Sequence, residues 1–492
     1  MYHNLINLAK HEAIRAKNVK LCREKHIVYP TFAQMVDPKK TPEGIKQKLL
    51  KTGLWDVDSA NLFRINWQNE PVEANGLFGD VNFVEVPREI TGIRARVFAL
   101  VGKYFPTGAH KVGATYACLA PALVTGNFDA VEQQAVWPST GNYCRGGAYN
   151  SALLGCKSIA ILPQEMSLER FNWLKTVAGE IIATPGCESN VKEIFDKCHE
   201  LDAERGKHIV IFNQFDQFEN YLWHYTVTGQ AIADVLESQG IKSENVRGYA
   251  SSTGSGGTLA AGDKLKELFP HLKIAACEAL QCPTLLRNGF GGHRIEGIGD
   301  KHVPWIHNVK NTDMIIAIDD RDCMDIYRLF NEPEGLEYLQ KLGLSARDIS
   351  NLGYYGISGI GNLLSAIKMA KYYEMDEDDV VFTILTDSSE MYTSRLQELT
   401  IKQGPFTATD AVKAHCGPFL HQQLDNMAEL GYYDRLKIHN LKYYTWVEQQ
   451  GKTYEELNAQ WYQKDYWTQL ASYAEKIDLL VEEFNKDVGL IV

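Results

Sequence analysis

The stretch VRGYASSTGSGGTLAAGDKLKE (Val246–Glu267) has three parts. An apolar run comes first. A turn follows with glycines at 254, 256 and 257, and then an amphipathic segment of helix length. This reads as a strand, a tight turn and a helix. Working outward, SIAILP (158–163), GEIIATP (179–185), HIVIFN (208–213), KIAACEA (273–279), DMIIAID (313–319) and DVVFTIL (379–385) are similar apolar runs separated by helix-length segments. Near-continuous apolar strands alternating with helices predict a parallel sheet covered on both faces. The expected fold class is therefore α/β, a two-lobed core with ligands at the C-terminal ends of its strands.

That core is expected over residues 81–405. Residues 1–80 are polar and lysine-rich with helical patterning, and residues 406–492 are aromatic-rich and read as helical. The 492 residues carry a net charge of −12 with no long basic block, which argues against nucleic acid as a partner. No apolar run approaches the length of a membrane span, and the N-terminal residues lack the apolar core of a signal peptide. Ten cysteines without a CxxC pair fit reduced thiols, so a cytoplasmic location is expected. Fourteen histidines form no HxxxH pair, so no metal site is expected.

Four loops carry the candidate chemistry. In PTGAHKVGATY (106–116), Lys111 enters an apolar segment, where a lysine is costly without a partner or a covalent role. Gly254 to Thr258 precede a helix, so their backbone N–H groups suit a phosphate, although an ordinary glycine-rich turn has the same composition. In PSTGNYCRGGAYNSALLG (138–155), the Ser-Thr-Gly-Asn turn suits a carboxylate and equally suits a helix cap. LTDSSEMY (385–392) places hydroxyls and a carboxylate at a strand end, or simply starts a capped helix. A lysine amine, a phosphate cup and a partner for a ring nitrogen together predict pyridoxal 5'-phosphate as cofactor.

On these loops the sequence resembles the pyridoxal-phosphate enzymes of fold type II, the tryptophan synthase β and cysteine synthase type. GAHK (108–111) resembles the lysine segment of tryptophan synthase β. STGN (139–142), MSLERFNWLKTVAGEIIATPG (166–186), NQFDQFENYLWHYTVTGQAI (213–232), GSGGT (254–258), HRIEGIGDKHVP (293–304), GISG (356–359) and TDSSEMY (386–392) resemble cysteine synthase segments in family order. The resemblance implies that Lys111 forms the Schiff base and moves the α-proton, and that His110 lies near the phosphate. It implies that Asn142 bonds the cofactor's phenolic oxygen and that Ser139, Thr140, Gly141 and Gln214 hold the substrate carboxylate. Gly254, Ser255, Gly256, Gly257 and Thr258 would hold the phosphate. Ser388 would face the pyridine nitrogen, with Asp387 the alternative one residue away.

The implied reaction is β-elimination or β-replacement on a serine or cysteine derivative through an aminoacrylate, with a small nucleophile as second substrate and a homodimer as the assembly. A serine/threonine dehydratase or cysteine desulfhydrase is the alternative within the fold. A non-catalytic binding protein is the alternative outside it, and the intact Lys111, phosphate loop and Ser388 argue against that. Tyr143 and Cys144 stand where cysteine synthase has Thr and Gly, and GISG lacks a serine of the family's GISSG. These departures bear on substrate choice.

Overall fold

The computed structural model describes residues 5–71, 74–139, 141–187 and 189–490. Two sheets form the core. Strands β1 (Phe83–Glu85) and β2 (Arg96–Val101) belong to the larger sheet, after which the chain crosses to the smaller one. There β3 (Gln134–Pro138), β4 (Lys157–Pro163), β5 (Glu180–Thr184) and β6 (Ile209–Ile211) pair in the order β5-β4-β3-β6, all parallel. The chain then returns for β7 (Val246–Ser252), β8 (Lys273–Ala279), β9 (Met314–Ile318), β10 (Val380–Leu385) and β11 (Met427–Glu429). The larger sheet has seven strands in the order β1-β2-β10-β7-β8-β9-β11, parallel except for its two antiparallel edges.

All seven quoted apolar runs become strands of these parallel sheets; β4 and β7 to β10 are buried on both faces, while β5 and β6 are half-buried. The two-lobed α/β expectation therefore holds. The C-terminal tail differs from its helical reading at one element. Residues Met427–Glu429 extend and pair with β9, because that edge strand otherwise leaves backbone groups unpaired.

The two extensions meet behind the core. Helix Glu12–Lys25 and helix Tyr473–Val488 pack together, with Arg15 bridging Asp487 at 2.6 Å. Asn485 exchanges hydrogen bonds with the backbone of Tyr29 (3.0 and 2.8 Å), and the Phe484 ring meets the edge of Tyr29. The Asp478 carboxylate accepts the N–H groups of Phe32 and Ala33. Tyr116, on the helix that begins at Lys111, donates to Pro30 O at 2.6 Å. The extensions thus cover the back of the helix that carries the lysine. No helix among the described residues is long and apolar enough to cross a membrane.

Candidate active site

Six loops converge between the lobes, each leaving the C-terminal end of a strand. β2 leads through two short turns to Lys111, and β3 leads to Ser139–Asn142. β6 leads to Gln214, β7 to Gly254–Thr258, β8 to the segment Gly297–Asp300, and β10 to Thr386–Ser388. Strand ends of parallel sheets leave space that helix N-termini point into, which explains the convergence.

Lys111 opens the helix Lys111–Thr125, in which every residue except Ala122 is buried. Its side chain is only 8% exposed. Nζ donates to Ser255 Oγ at 3.1 Å and to Gln214 Oε1 at 3.4 Å, which links three of the convergent loops at one nitrogen. The preceding turn is fixed by His110 N–H donating to Thr386 O (3.2 Å) and by Thr107 in a left-handed conformation (φ 70°, ψ 0°). A non-glycine residue there costs on the order of 1 kcal/mol or more.

Lys111, Ser139, Asn142, Tyr143, Gln214, Phe215, Gly254, Ser255 and Asp300 line one cleft. Ser139 Oγ accepts the Gly141 N–H at 3.0 Å, just ahead of the helix Asn142–Leu153, which has no side-chain cap. Thr140 lies outside the described residues. The glycine loop is shaped for close approach. A Cβ on Gly254 would come within 3.1 Å of Gly297 O, and one on Gly257 would run into the Asn220 amide. Asn220 Nδ2 also donates to Ser255 Oγ (3.0 Å) and to Gln214 O (2.9 Å), holding the two loops in register. Thr258 turns inward, and its Oγ1 accepts from Ser251.

His110 and Ser388, also expected at the site, are buried in the loops around this cleft but do not line it. The His110 ring is buried beside Trp67 and His224, with centroids 5.8 and 5.0 Å away, and neither ring nitrogen has a partner among the described residues. Burial, and then the Lys111 charge, lower its pKa to about 3, so the ring is neutral at pH 7. Asn142 Nδ2 donates to Asp387 Oδ2 at 2.6 Å, leaving Oδ1 without a partner. Asp387 Oδ2 also accepts from Tyr392 OH at 2.6 Å, and burial raises its pKa against the opposing charge of Arg170. Ser388 is buried and donates to Glu390 Oε1 at 3.1 Å. Tyr143 narrows the cleft with its ring, while its hydroxyl points away to Cys118 Sγ. The Cys144 thiol is buried and donates to Gly141 O.

Two features escaped the sequence reading. Arg170, from MSLER, forms a buried ion pair with Glu296 at 2.9 Å and donates to Tyr392 OH at 3.0 Å, joining the smaller lobe to the larger. Asp300, from GIGDK, is 7% exposed, lines the cleft, and has an Oδ2 without a partner. Burial raises its pKa to about 7 despite the Lys111 charge. An acidic residue straight after Gly-Ile-Gly was its only sequence signal.

Residues 77–338 match the family described as pyridoxal-phosphate dependent enzyme. The chain belongs to this family. A probable cysteine synthase of Bacillus subtilis is 30% identical over 319 residues, covering 65% of this chain and 94% of the relative. The cystathionine beta-synthase of Saccharomyces cerevisiae is 26% identical over 316 residues, or 62% of this chain and 58% of that one. Among solved structures, a cysteine synthase from Entamoeba histolytica superposes with a TM-score of 0.55 at 21% identity, covering 68% of this chain and 93% of that chain. A hydrogen sulfide-producing enzyme from Fusobacterium nucleatum gives 0.55 at 23% identity, covering 71% and 95%. These two likenesses speak for the fold, which is the fold type II α/β architecture of cysteine synthase.

The residues of this pyridoxal-phosphate enzyme fit the cofactor. The cleft offers a lysine amine at a helix start and a glycine cradle that a single Cβ would fill. An orphaned buried amide oxygen on Asn142 completes the set.

Proposed function

We propose that this enzyme breaks the bond between Cβ and its substituent in a serine or cysteine derivative, and replaces the substituent with a small nucleophile or lets the eliminated product leave. The observation that carries this reading is Lys111 Nζ, buried where the glycine loop, Gln214 and the Ser139–Asn142 turn meet. The relatives named cysteine synthase and cystathionine beta-synthase support β-replacement over other chemistry of this cofactor.

When bound, pyridoxal phosphate supplies an electron sink for bonds at the substrate's α-carbon. In the proposed division of labour Lys111 Nζ anchors the cofactor and takes and returns the α-proton. Its apolar helix and its acceptors on Ser255 and Gln214 fix its position. Gly254 to Thr258, at the start of helix Leu259–Leu268, hold the phosphate with backbone N–H groups. Ser139, Thr140, Gly141 and Gln214 hold the substrate carboxylate at the start of helix Asn142–Leu153. Asn142 would meet the phenolic oxygen, and neutral His110 would stand near the phosphate with a single proton to donate. For the ring nitrogen we propose Ser388, as the family resemblance implies; Asp387, the alternative, has Oδ2 engaged by Asn142 and Tyr392 and an Oδ1 without a partner among the described residues.

The proposal includes a homodimer in a reducing cytoplasm. Exposed Tyr433, Tyr444 and Tyr454 around one groove of the C-terminal extension support a self-association surface, and ten unpaired cysteines support the compartment.

The test is the visible spectrum of the purified chain with pyridoxal phosphate, before and after O-acetyl-L-serine. A yellow band that moves to longer wavelength with release of acetate is expected, and Lys111→Ala should lose both the original band and turnover. A Lys111→Ala protein with the parent's spectrum and rate would remove Lys111 from the mechanism.

A further inference from the structure

Asp300 is a buried carboxyl group that the scheme above does not use. Its Oδ2 has no donor among the described residues, and a Cβ on Gly254, the first residue of the phosphate loop, would lie 3.9 Å from it. An unpaired buried carboxyl group destabilises a fold, and mutation to an apolar residue would relieve that cost. Its backbone is nevertheless held firmly. Gly299, in a left-handed conformation (φ +78°), donates its N–H to Thr253 O at 2.9 Å. The Gly299 carbonyl lies 3.1 Å from His293 Nε2, and Asp300 O accepts from Thr284 Oγ1 at 2.7 Å. A rigid loop thus carries an unsatisfied carboxyl group to the cleft wall. Lys111 is the charged group that acts on it, and the Cys282 thiol is near enough to be raised by its charge.

We propose, resting on the β-substitution reading above, that Asp300 is the catalytic base that takes the proton of a neutral O–H or S–H nucleophile as that nucleophile bonds to the substrate's β-carbon. The second substrate is then water, an alcohol or a thiol, rather than an anion, which an unpaired carboxylate in a dry cleft repels. Over the cycle the bond from Cβ to the leaving group breaks, and that group departs with the electron pair. The bond from Cβ to the nucleophile forms from the nucleophile's own pair. The nucleophile's proton passes to Asp300 and on to the leaving group or solvent. The α-proton held by Lys111 returns to Cα. No external oxidant or reductant enters. A carboxyl group poised to change protonation at about pH 7 suits this role.

The test uses the full chain loaded with pyridoxal phosphate, with O-acetyl-L-serine as donor. Two acceptors compete: 2-mercaptoethanol, which is protonated at pH 7, and azide, an anion without a proton to lose. The ratio of thioether to azido product should fall about 100-fold in Asp300→Asn, and should recover in part in Asp300→Glu. An unchanged ratio, with both products formed, would overturn the role of Asp300 while leaving the parent reading intact. A parent that forms neither product would overturn both.

Thermal melting of the apoprotein supplies a readout apart from turnover. The folded state keeps the Asp300 proton up to about pH 7, while the unfolded chain releases it near pH 4. Folding therefore binds the extra proton between these values, and the parent loses stability as pH rises through that window. Asp300→Asn should melt at a higher temperature than the parent at pH 8, with the gap closing at pH 4. A gap independent of pH would overturn the proposal.

Discussion

Gly257 shows how finely the phosphate loop is set. The Asn220 amide occupies the space its Cβ would need, and the same amide holds Ser255 and Gln214, the two acceptors of Lys111. A methyl group at Gly257 must therefore displace either the loop or Asn220, and in both cases the lysine's acceptors move. Gly257→Ala is expected to weaken cofactor binding tenfold or more, about 1.4 kcal/mol, while the fold persists. Titrating the apoprotein with pyridoxal phosphate and following the visible band checks this. Equal affinity in parent and variant would remove Gly254 to Thr258 as the phosphate site.

At the scale of elements, the two lobes are joined by charge as well as by chain. Glu296, in the segment that ends at Asp300, accepts Arg170 from the smaller lobe at 2.9 Å and Arg395 from helix Thr393–Gln403 at 2.6 Å. Glu296→Gln removes the carboxylate that pairs with the buried Arg170 guanidinium, and such a break costs about 3–5 kcal/mol. Chemical denaturation should show a loss of this order, and a loss under 1 kcal/mol would mean the pair is replaceable.

The legibility of these elements differs for physical reasons. Strands β4 and β7 to β10 are buried on both faces, so they read directly as apolar runs, whereas β5 and β6 are only half-buried and read through their isoleucines and valine. Strands β1 and β11 have three residues each, too few to show a period, and β11 exists only because β9 offers it an edge. β3 ends in a proline and holds one tryptophan, so its five residues carry no clear strand pattern. The site divides in the same way. Lys111, Ser139, Asn142, Gly254 and Ser255 stand in loops whose local chemistry marks them, Gln214 is implied by the family resemblance alone, and the fold brings all six to one cleft. Asp300 depends on a long loop folding back over Thr253, and no local pattern encodes that return.

Across the whole molecule, the C-terminal extension reaches the same loop from behind. Lys442 is fully buried, and its ammonium donates to Trp305 O at 2.8 Å, His307 O at 2.7 Å and Gln460 Oε1 at 2.7 Å. Burial lowers its pKa well below the ordinary lysine value, so the bonds to those acceptors must offset a large desolvation cost. His307 in turn packs against Gly256, whose Cβ would approach it to 3.2 Å. A displacement of the segment Trp305–His307 would therefore be felt in the phosphate loop. Lys442→Met fills the space but leaves three buried acceptors without a donor, at about 1–3 kcal/mol for each that finds no water. The variant should melt earlier than the parent and bind pyridoxal phosphate more weakly. Loss of stability with unchanged cofactor affinity would make the extension a clamp on the fold alone. Loss of both would make residues far outside the two lobes part of what shapes the cofactor site.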